Sequence, residues 1–283
     1  KLYLHFFDVD WDNGLQNPIS KAHVAFYNKP DSTLEIIPVV YITNNTFLQI
    51  PTDSISALAV KVFKQCHYFA MKNKIVFTEL QIDCDWTLQT QAHYFLFLNE
   101  LRQHLARQQY LSATIRLHQI KYKNKTGVPP VKRGMLMFYN MGNISADLNI
   151  NSIFDKEVAQ KYLATINQYS LPLDIALPAF SWGVHIRNEK FVGLINLLTS
   201  DMVALDSRFK KISTGVYQSS ASFLYRGRYI MKRDLIKLEA CTKDITTLAA
   251  SVIAANFLPE YDYTVTLFDI NSYILLNDKN NAT

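Results

Sequence analysis

The sequence predicts an α/β fold, namely a (β/α)8 TIM-type barrel that forms a single domain over residues 1–283. Short apolar runs alternate with longer segments of helical periodicity, which is the order expected when helices connect the strands of a parallel sheet. The length of 283 residues suits one such barrel, for which about 250 residues are typical. A doubly wound open sheet shows the same alternation and is the alternative fold.

Eight segments are predicted as strands, because they are short, apolar and rich in β-branched or aromatic residues. In chain order they are residues 2–8, 22–27, 36–42, 74–86, 111–120, 134–139, 173–179 and 263–269. Apolar residues recur at helical spacing over residues 53–72, 90–108, 155–169 and 242–256. Asp53 and Asp155 stand where the N-caps of two of these helices are expected.

Two segments depart from the repeating pattern of a barrel. The stretch between residues 27 and 36 is too short to hold a helix, so the barrel is predicted to be imperfect around its second and third strands. Residues 183–240 do not form one strand followed by one helix, and they contain the hairpin-like sequence SFLYRGRYI around Gly227. They are predicted to be an insertion after the seventh strand.

The composition excludes several classes of protein. Hydrophobic residues make up 49% of the chain, so a large core can form and disorder is excluded. The net charge is +5 and no run of five or six like charges occurs, which argues against a nucleic-acid partner. Glycine-rich phosphate loops and clusters of metal-ligating residues are absent, so neither a cofactor nor a metal is predicted.

Localisation is predicted from the ends and the hydropathy of the chain. No apolar run is long enough for a transmembrane segment. The chain begins with Lys1 rather than Met, so we expect a trimmed product that is exported to the periplasm or cell surface, or anchored there, through a preceding segment.

The sequence IDCDW at residues 82–86 carries the strongest indication of chemistry. Because side chains alternate along a strand, Gln81, Asp83 and Asp85 are predicted to share one face and Cys84 to lie on the other, as a free buried thiol. Active sites of barrels lie at the carboxyl ends of the strands. Two neighbouring carboxylates there also raise the pKa of at least one of them, which suits a general acid.

These residues resemble the fourth-strand signature of family 18 glycoside hydrolases, the chitinase-like barrels, whose pattern is DGxDxDWE. Two further motifs occur in the family's order: MFYN at residues 137–140 resembles MxYD of strand six, and LPAFSWG at residues 177–183 resembles the stretch that ends strand seven. Within this family, the pattern more closely resembles a group of uncharacterised bacterial glycosidase-like barrels that keep IDxDW and lack the catalytic Glu. The resemblance implies a barrel that acts on a glycan.

The departures from the family pattern affect catalysis. The family's general acid is the Glu after the Trp, and this chain has Thr87 there; the Asp of MxYD is Asn140. A hydroxyl is too weak an acid to protonate a leaving oxygen. The altered catalytic pair is therefore predicted to be Asp83 and Asp85, with Asp85 as the acid. Arg116 on the fifth strand either reaches this site or pairs structurally with a carboxylate.

Two functions follow from these residues. The first is hydrolysis of glycosidic bonds, and the alternative is a non-catalytic carbohydrate-binding barrel. Aromatic rings at strand ends suit the apolar faces of sugars. The predicted substrate-binding residues are Gln81, Trp86, Arg116, Met137, Tyr139, Asn140, Phe180 and Trp182.

Overall fold

The computed structural model describes residues 1–269, and these residues belong to two compact units. The first unit comprises Lys1–Leu136 and Gln168–Asp174, and the second comprises Met137–Asn167 and the chain from Ile175 onward. Within residues 1–269, no helix combines the length and the apolar character that a membrane crossing requires.

The first unit contains most of the predicted strands and helices. Its strands are β1 (Leu2–Asp12), β2 (Asn17–Lys21), β3 (Ile36–Ile42), β4 (Glu79–Asp83), β5 (Tyr110–Arg116) and the start of β6 (Arg133–Met137). Its helices are α1 (Asn44–Gln49), α2 (Ile55–Lys72), α3 (Gln91–Gln103), α4 (Leu117–Lys121) and α5 (Lys123–Thr126), with a 3₁₀ turn at Thr52–Ser54. Helix α2 packs through its buried stripe of Ile55, Leu58, Ala59, Val62 and Cys66.

The second unit contains helix α6 and the later strands. Its strands are the rest of β7 (Leu173–Pro178), then β8 (Ser181–Arg187), β9 (Lys190–Asn196), β10 (Phe209–Ser213), β11 (Val216–Ser219), β12 (Phe223–Tyr225), β13 (Arg228–Ile230), β14 (Leu235–Ala240) and β15 (Val265–Phe268). Its helices are α6 (Lys156–Leu163), α7 (Ser200–Ala204) and α8 (Lys243–Asn256), with a 3₁₀ turn at Ile166–Gln168. Asp155 accepts a hydrogen bond from the Val158 N–H and caps α6, as predicted.

Eight strands form the main sheet in the order β15-β7-β6-β5-β4-β3-β1-β2. Strand β1 is parallel to β3, β3 to β4, β4 to β5, and β7 to β15. The predicted α/β class with a largely parallel eight-stranded sheet is therefore confirmed. Closure of this sheet into a barrel stays a prediction, because β15 and β2 stand at the two ends of the strand order.

The second strand differs from its prediction in both position and direction. It lies at Asn17–Lys21 rather than at residues 22–27, and it runs antiparallel to β1 on the edge of the sheet. The reason is the turn at Asp12-Asn13-Gly14, where the Asp12 carboxylate accepts hydrogen bonds from the Gly14 and Leu15 N–H groups. This hairpin takes the place of the first crossover helix, so β1 pairs directly with β3.

Residues 183–240, predicted as an insertion, belong to a separate antiparallel sheet that begins with β8. The order of its strands is β10-β11-β14-β8-β9, and β12 and β13 form a hairpin beside it. A small core holds this region together, composed of Ile195, Leu198, Val203, Phe209, Tyr217, Ile230 and Ile236.

Candidate functional site

Polar side chains pair across the neighbouring strands β4 and β5. The strands lie in register with Gln81 opposite Ser112. From there toward the carboxyl end, the side-chain contacts are Gln81 Nε2 to Ser112 Oγ (3.3 Å), Thr114 Oγ1 to Asp83 Oδ1 (2.5 Å), and Arg116 Nε to Asp85 Oδ1 (2.5 Å). The shared face of Gln81, Asp83 and Asp85 is thus confirmed by their partners, and Cys84 is a buried free thiol as predicted.

Asp83 is the carboxyl group of this row whose pKa is raised. Burial raises the pKa of Asp83 above its ordinary value of 3.8, and the nearby Asp85 charge acts in the same direction. The Arg116 charge and the hydrogen bond from Thr114 oppose this shift but do not cancel it. Asp83 can therefore hold a proton more readily than an exposed aspartate can.

Asp85 is engaged in an ion pair with Arg116. Arg116 Nε and Nη2 donate to the two carboxylate oxygens of Asp85 at 2.5 and 3.2 Å, the two-point geometry preferred by guanidinium and carboxylate. The Asp85 side chain is 48% exposed. One guanidinium thus engages both oxygens of Asp85, and the role of Asp85 as the acid stays a prediction.

Thr87, at the position of the family's acid, is exposed and lies in the turn that precedes α3. Its backbone N–H donates to Thr90 Oγ1 at 2.9 Å, and the Thr90 hydroxyl also bonds to Asn44 Oδ1. These contacts arrange the turn that leads from β4 into α3. Between residues 79 and 87 the chain has carboxylates at Glu79, Asp83 and Asp85, and it has none at position 87, where the family pattern has Glu.

Four predicted substrate-binding residues are buried in cores. Trp86 is 1% exposed, stacks on Tyr94 at 5.1 Å and donates its indole N–H to the Thr126 carbonyl. Gln81, Met137 and Tyr139 are 4%, 6% and 3% exposed. Side chains so enclosed have no surface left for a sugar, so their assigned role is corrected from substrate binding to packing.

Asn140, Phe180 and Trp182 lie together in the second unit, whereas Arg116 lies in the first unit and is paired with Asp85. A pocket of about 310 Å³ is lined by Asn140, Phe180, Ser181, Trp182, Asn196, Leu197, Phe268 and Asp269. A hexose ring is smaller than this volume, which lies at the low end of the range for small-molecule sites. The pocket therefore has room for one sugar unit and part of the next.

Aromatic rings form one wall of this pocket. Tyr139 is buried and does not line the pocket, but it stacks on the lining residue Phe268 with ring centroids 4.8 Å apart and an angle of 10° between the planes. Phe180 meets the edges of Tyr139 and Trp182 at 5.6 and 5.3 Å. Phe268 is 42% exposed, so part of this aromatic surface faces solvent. Such a surface suits the C–H face of a sugar.

Polar groups stand at the edge of the same pocket. Asn140 is exposed and has φ of 55°, a left-handed conformation that Asn tolerates better than most residues. The Asp269 Oδ1 atom is buried and has no hydrogen-bond partner among residues 1–269. A carboxylate and an amide beside aromatic rings can bind the hydroxyl and amide groups of a sugar.

Buried charges that the sequence analysis missed hold the Trp182 side of the pocket. Trp182 Nε1 donates to Glu239 Oε2 at 2.9 Å, and Ser152 donates to the same oxygen through its N–H and its hydroxyl. The other Glu239 oxygen lies 2.6 Å from Lys237 Nζ, and both side chains are nearly inaccessible. Lys237 also donates to the carbonyls of Asp147 and Ile150. The alternation Lys237-x-Glu239 on β14 was the sequence signal that could have predicted this buried pair.

We expect the Asp83 carboxyl to make stability depend on pH. Because its pKa is raised by folding, folded protein binds more protons, and its stabilising effect is lost as the pH rises through the folded pKa. Asp83→Asn should remove that fall in stability above about pH 4, since the amide oxygen still accepts from Thr114. Urea unfolding from pH 4 to 8 measures this. Asp85→Asn is the control and should cost under about 1 kcal/mol, because its ion pair is partly exposed.

Within residues 1–269, no group of three or more His, Cys, Asp or Glu side chains is arranged to hold a metal ion. Strand β5 ends at Arg116, so His118, two residues later, lies on helix α4.

Known proteins were compared with the chain at the levels of sequence and structure. No protein-family profile matches the sequence, and no curated protein matches it. The fold is similar to a chitinase from Chromobacterium violaceum, with a TM-score of 0.53 and 11% identity over 99% of this chain and 91% of that one. It is also similar to a chitinase-like agglutinin from Robinia pseudoacacia, with a TM-score of 0.54 and 12% identity over 99% and 92% of the two chains.

A third similar structure is the spore cortex-lytic enzyme SleL from Bacillus cereus, with a TM-score of 0.52 and 13% identity. The match covers 95% of this chain but only 64% of SleL, so the chain spans about two thirds of that enzyme. Identities this low show the fold alone. The resemblance to family 18 glycoside hydrolases, read from three short motifs, is thus supported at the level of structure: the fold is chitinase-like.

Proposed function

We propose that this protein binds a glycan in the pocket of its second unit and does not hydrolyse it. The observation that carries the proposal is the pocket itself, in which aromatic rings stand beside Asn140 and the buried Asp269 oxygen. The fold supports it, because similar structures include chitinases and an agglutinin described as chitinase-like. Oligomers of N-acetylglucosamine are therefore the ligands to test first.

The residues after β4 argue against turnover. The Thr87 hydroxyl is too weak an acid to protonate a leaving oxygen, and both oxygens of Asp85 are already paired with Arg116. A general acid must present its proton to the leaving oxygen of the glycosidic bond. The same groups remain suitable for contacts with hydroxyl groups, which need only hydrogen bonds.

Hydrolysis is the second candidate, and the raised pKa of Asp83 favours it. In that case Asp83 rather than Asp85 would donate the proton, and Asp83→Asn would lower the rate about 10²–10⁴-fold. Asp85→Asn would then retain much of the activity. If the protein only binds its glycan, neither substitution changes a rate of hydrolysis. This order of effects therefore separates hydrolysis from binding alone.

The proposal has two further parts, which concern the fold and the location of the protein. We propose that the eight-stranded sheet closes as a barrel, with residues 183–240 as an insertion into one domain. We also propose export, because the glycans of cell walls and spore coats lie outside the cytoplasm. Proteolysis of intact cells and fractionation would test where the protein resides.

Phe180→Ala should weaken binding of an N-acetylglucosamine oligomer about tenfold, because it removes a ring that touches both Tyr139 and Trp182. Isothermal titration calorimetry on the full chain measures the affinity. Phe191→Ala is the matched control, since this Phe is exposed on β9 and does not line the pocket. Equal affinities for the two variants would contradict the assignment of the pocket.

A further inference from the structure

The formal charge of the chain is concentrated in one region. Residues 181–240 contain ten Lys and Arg and five Asp and Glu, a formal charge of +5, which equals that of the whole chain. The remaining residues are therefore neutral as a set. Three of the basic residues in this region form ion pairs, namely Arg187 with Asp234, Arg208 with Asp206, and Lys237 with Glu239. Exposed basic side chains that remain are Lys190, Lys210, Lys211, Arg226, Lys232 and Arg233.

The β12–β13 hairpin has two different faces. Its inner face packs Phe223 and Tyr225 on Phe209, with ring centroids 5.4 and 5.3 Å apart. Its outer face pairs Leu224 directly with Tyr229 across the strands. These two side chains are 70% and 60% exposed. The inner contacts fix the hairpin, so the outer face is held toward solvent.

Basic residues border this apolar outer face at both ends. Arg226 and Gly227 form the two-residue turn at the tip, both with positive φ, and Arg226 Nη1 lies 3.3 Å from the sulfur of Met202. At the base, Met231 is 43% exposed and is followed by the exposed Lys232. Apolar side chains bordered by Arg and Lys are the pattern of segments that lie in the interface of an anionic bilayer.

We propose that the outer face of the β12–β13 hairpin docks on a membrane surface that contains anionic lipids. Arg226 and Lys232 would lie near the phosphate groups, while Leu224 and Tyr229 would enter the boundary between head groups and acyl chains. The apolar side chains favour a bilayer over a soluble polyanion, because a polyanion offers no apolar phase to receive them. This surface is separate from the proposed glycan pocket, whose lining residues it does not share.

The test measures binding of the full chain to vesicles by sedimentation. Wild type should bind vesicles of phosphatidylglycerol and phosphatidylcholine and should not bind phosphatidylcholine alone. Arg226→Asn with Lys232→Gln should lower partitioning about 30-fold, since each basic residue near such a surface contributes about fivefold. Asn suits a positive φ, so the turn is preserved. The control, Lys61→Gln with Lys64→Gln on α2, removes the same charge and should bind like wild type.

A second variant tests the apolar contact. Leu224→Thr with Tyr229→Thr keeps the strand propensity and the charge, and it should lower vesicle binding at least tenfold, including at high salt. Circular dichroism verifies that both variants are folded. The proposal is overturned if wild type does not bind anionic vesicles, if the α2 control loses as much binding as the hairpin variant, or if soluble polyphosphate binds equally well and the Thr variant binds vesicles like wild type.

Discussion

Replacing Glu239 with Gln is expected to lower the free energy of unfolding by about 3–5 kcal/mol. The amide can still accept from Trp182 and Ser152, but it leaves the Lys237 ammonium buried without its opposite charge. An unpaired charge in a core is costly even when carbonyl groups solvate it, as those of Asp147 and Ile150 do here. Urea unfolding followed by tryptophan fluorescence measures the change.

The control for this substitution is Glu189→Gln, because Glu189 is exposed in the turn between β8 and β9. It should change the free energy of unfolding by less than about 0.5 kcal/mol. A loss below about 1 kcal/mol for Glu239→Gln would mean that the buried pair does not stabilise the pocket wall.

Replacing Thr87 with Glu is expected to give the chain about 10²-fold more hydrolysis of an N-acetylglucosamine oligomer than wild type shows. Thr87 is exposed, so a longer side chain fits without disturbing the core. The new carboxyl group stands two residues after Asp85, where the resemblance to the chitinase-like barrels implies the acid. Product release is followed by chromatography of the reducing ends.

Thr87→Gln is the matched control, because it has the same shape without an ionisable proton. It should leave hydrolysis at the level of wild type. If Thr87→Gln gained as much activity as Thr87→Glu, the missing acid would not be the reason for low turnover. Rapid hydrolysis by wild type itself would contradict the proposed function.

The sequence predicted those parts of the fold that depend on local patterns. Strand β3 lies at Ile36–Ile42 as predicted, because a buried parallel strand is a continuous β-branched run. Helix α2 also lies where predicted, because apolar residues at helical spacing form its buried stripe. The hairpin of β1 and β2 was placed wrongly although Asp12-Asn13-Gly14 is a strong turn signal. The position and the antiparallel direction of β2 depend on its pairing with β1, which the spacing of apolar residues does not encode.

The candidate site was predictable only where alternation along one strand decides it. The shared face of Gln81 and Asp83 followed from alternation, and the cross-strand partners Ser112 and Thr114 agree with it. The partner of Asp85 did not follow, because whether Arg116 reaches it depends on the register between β4 and β5. Trp86 was assigned to substrate from a motif, yet tertiary packing encloses its ring.

We propose that this chain binds a glycan without cleaving it. The most direct test incubates the full chain with a hexamer of N-acetylglucosamine, measures binding by calorimetry, and analyses the same sample by mass spectrometry after a day. We expect saturable binding with a dissociation constant of about 1 μM to 1 mM and an intact hexamer. Either shorter oligomers in the sample or no binding to any chitin oligomer would contradict it.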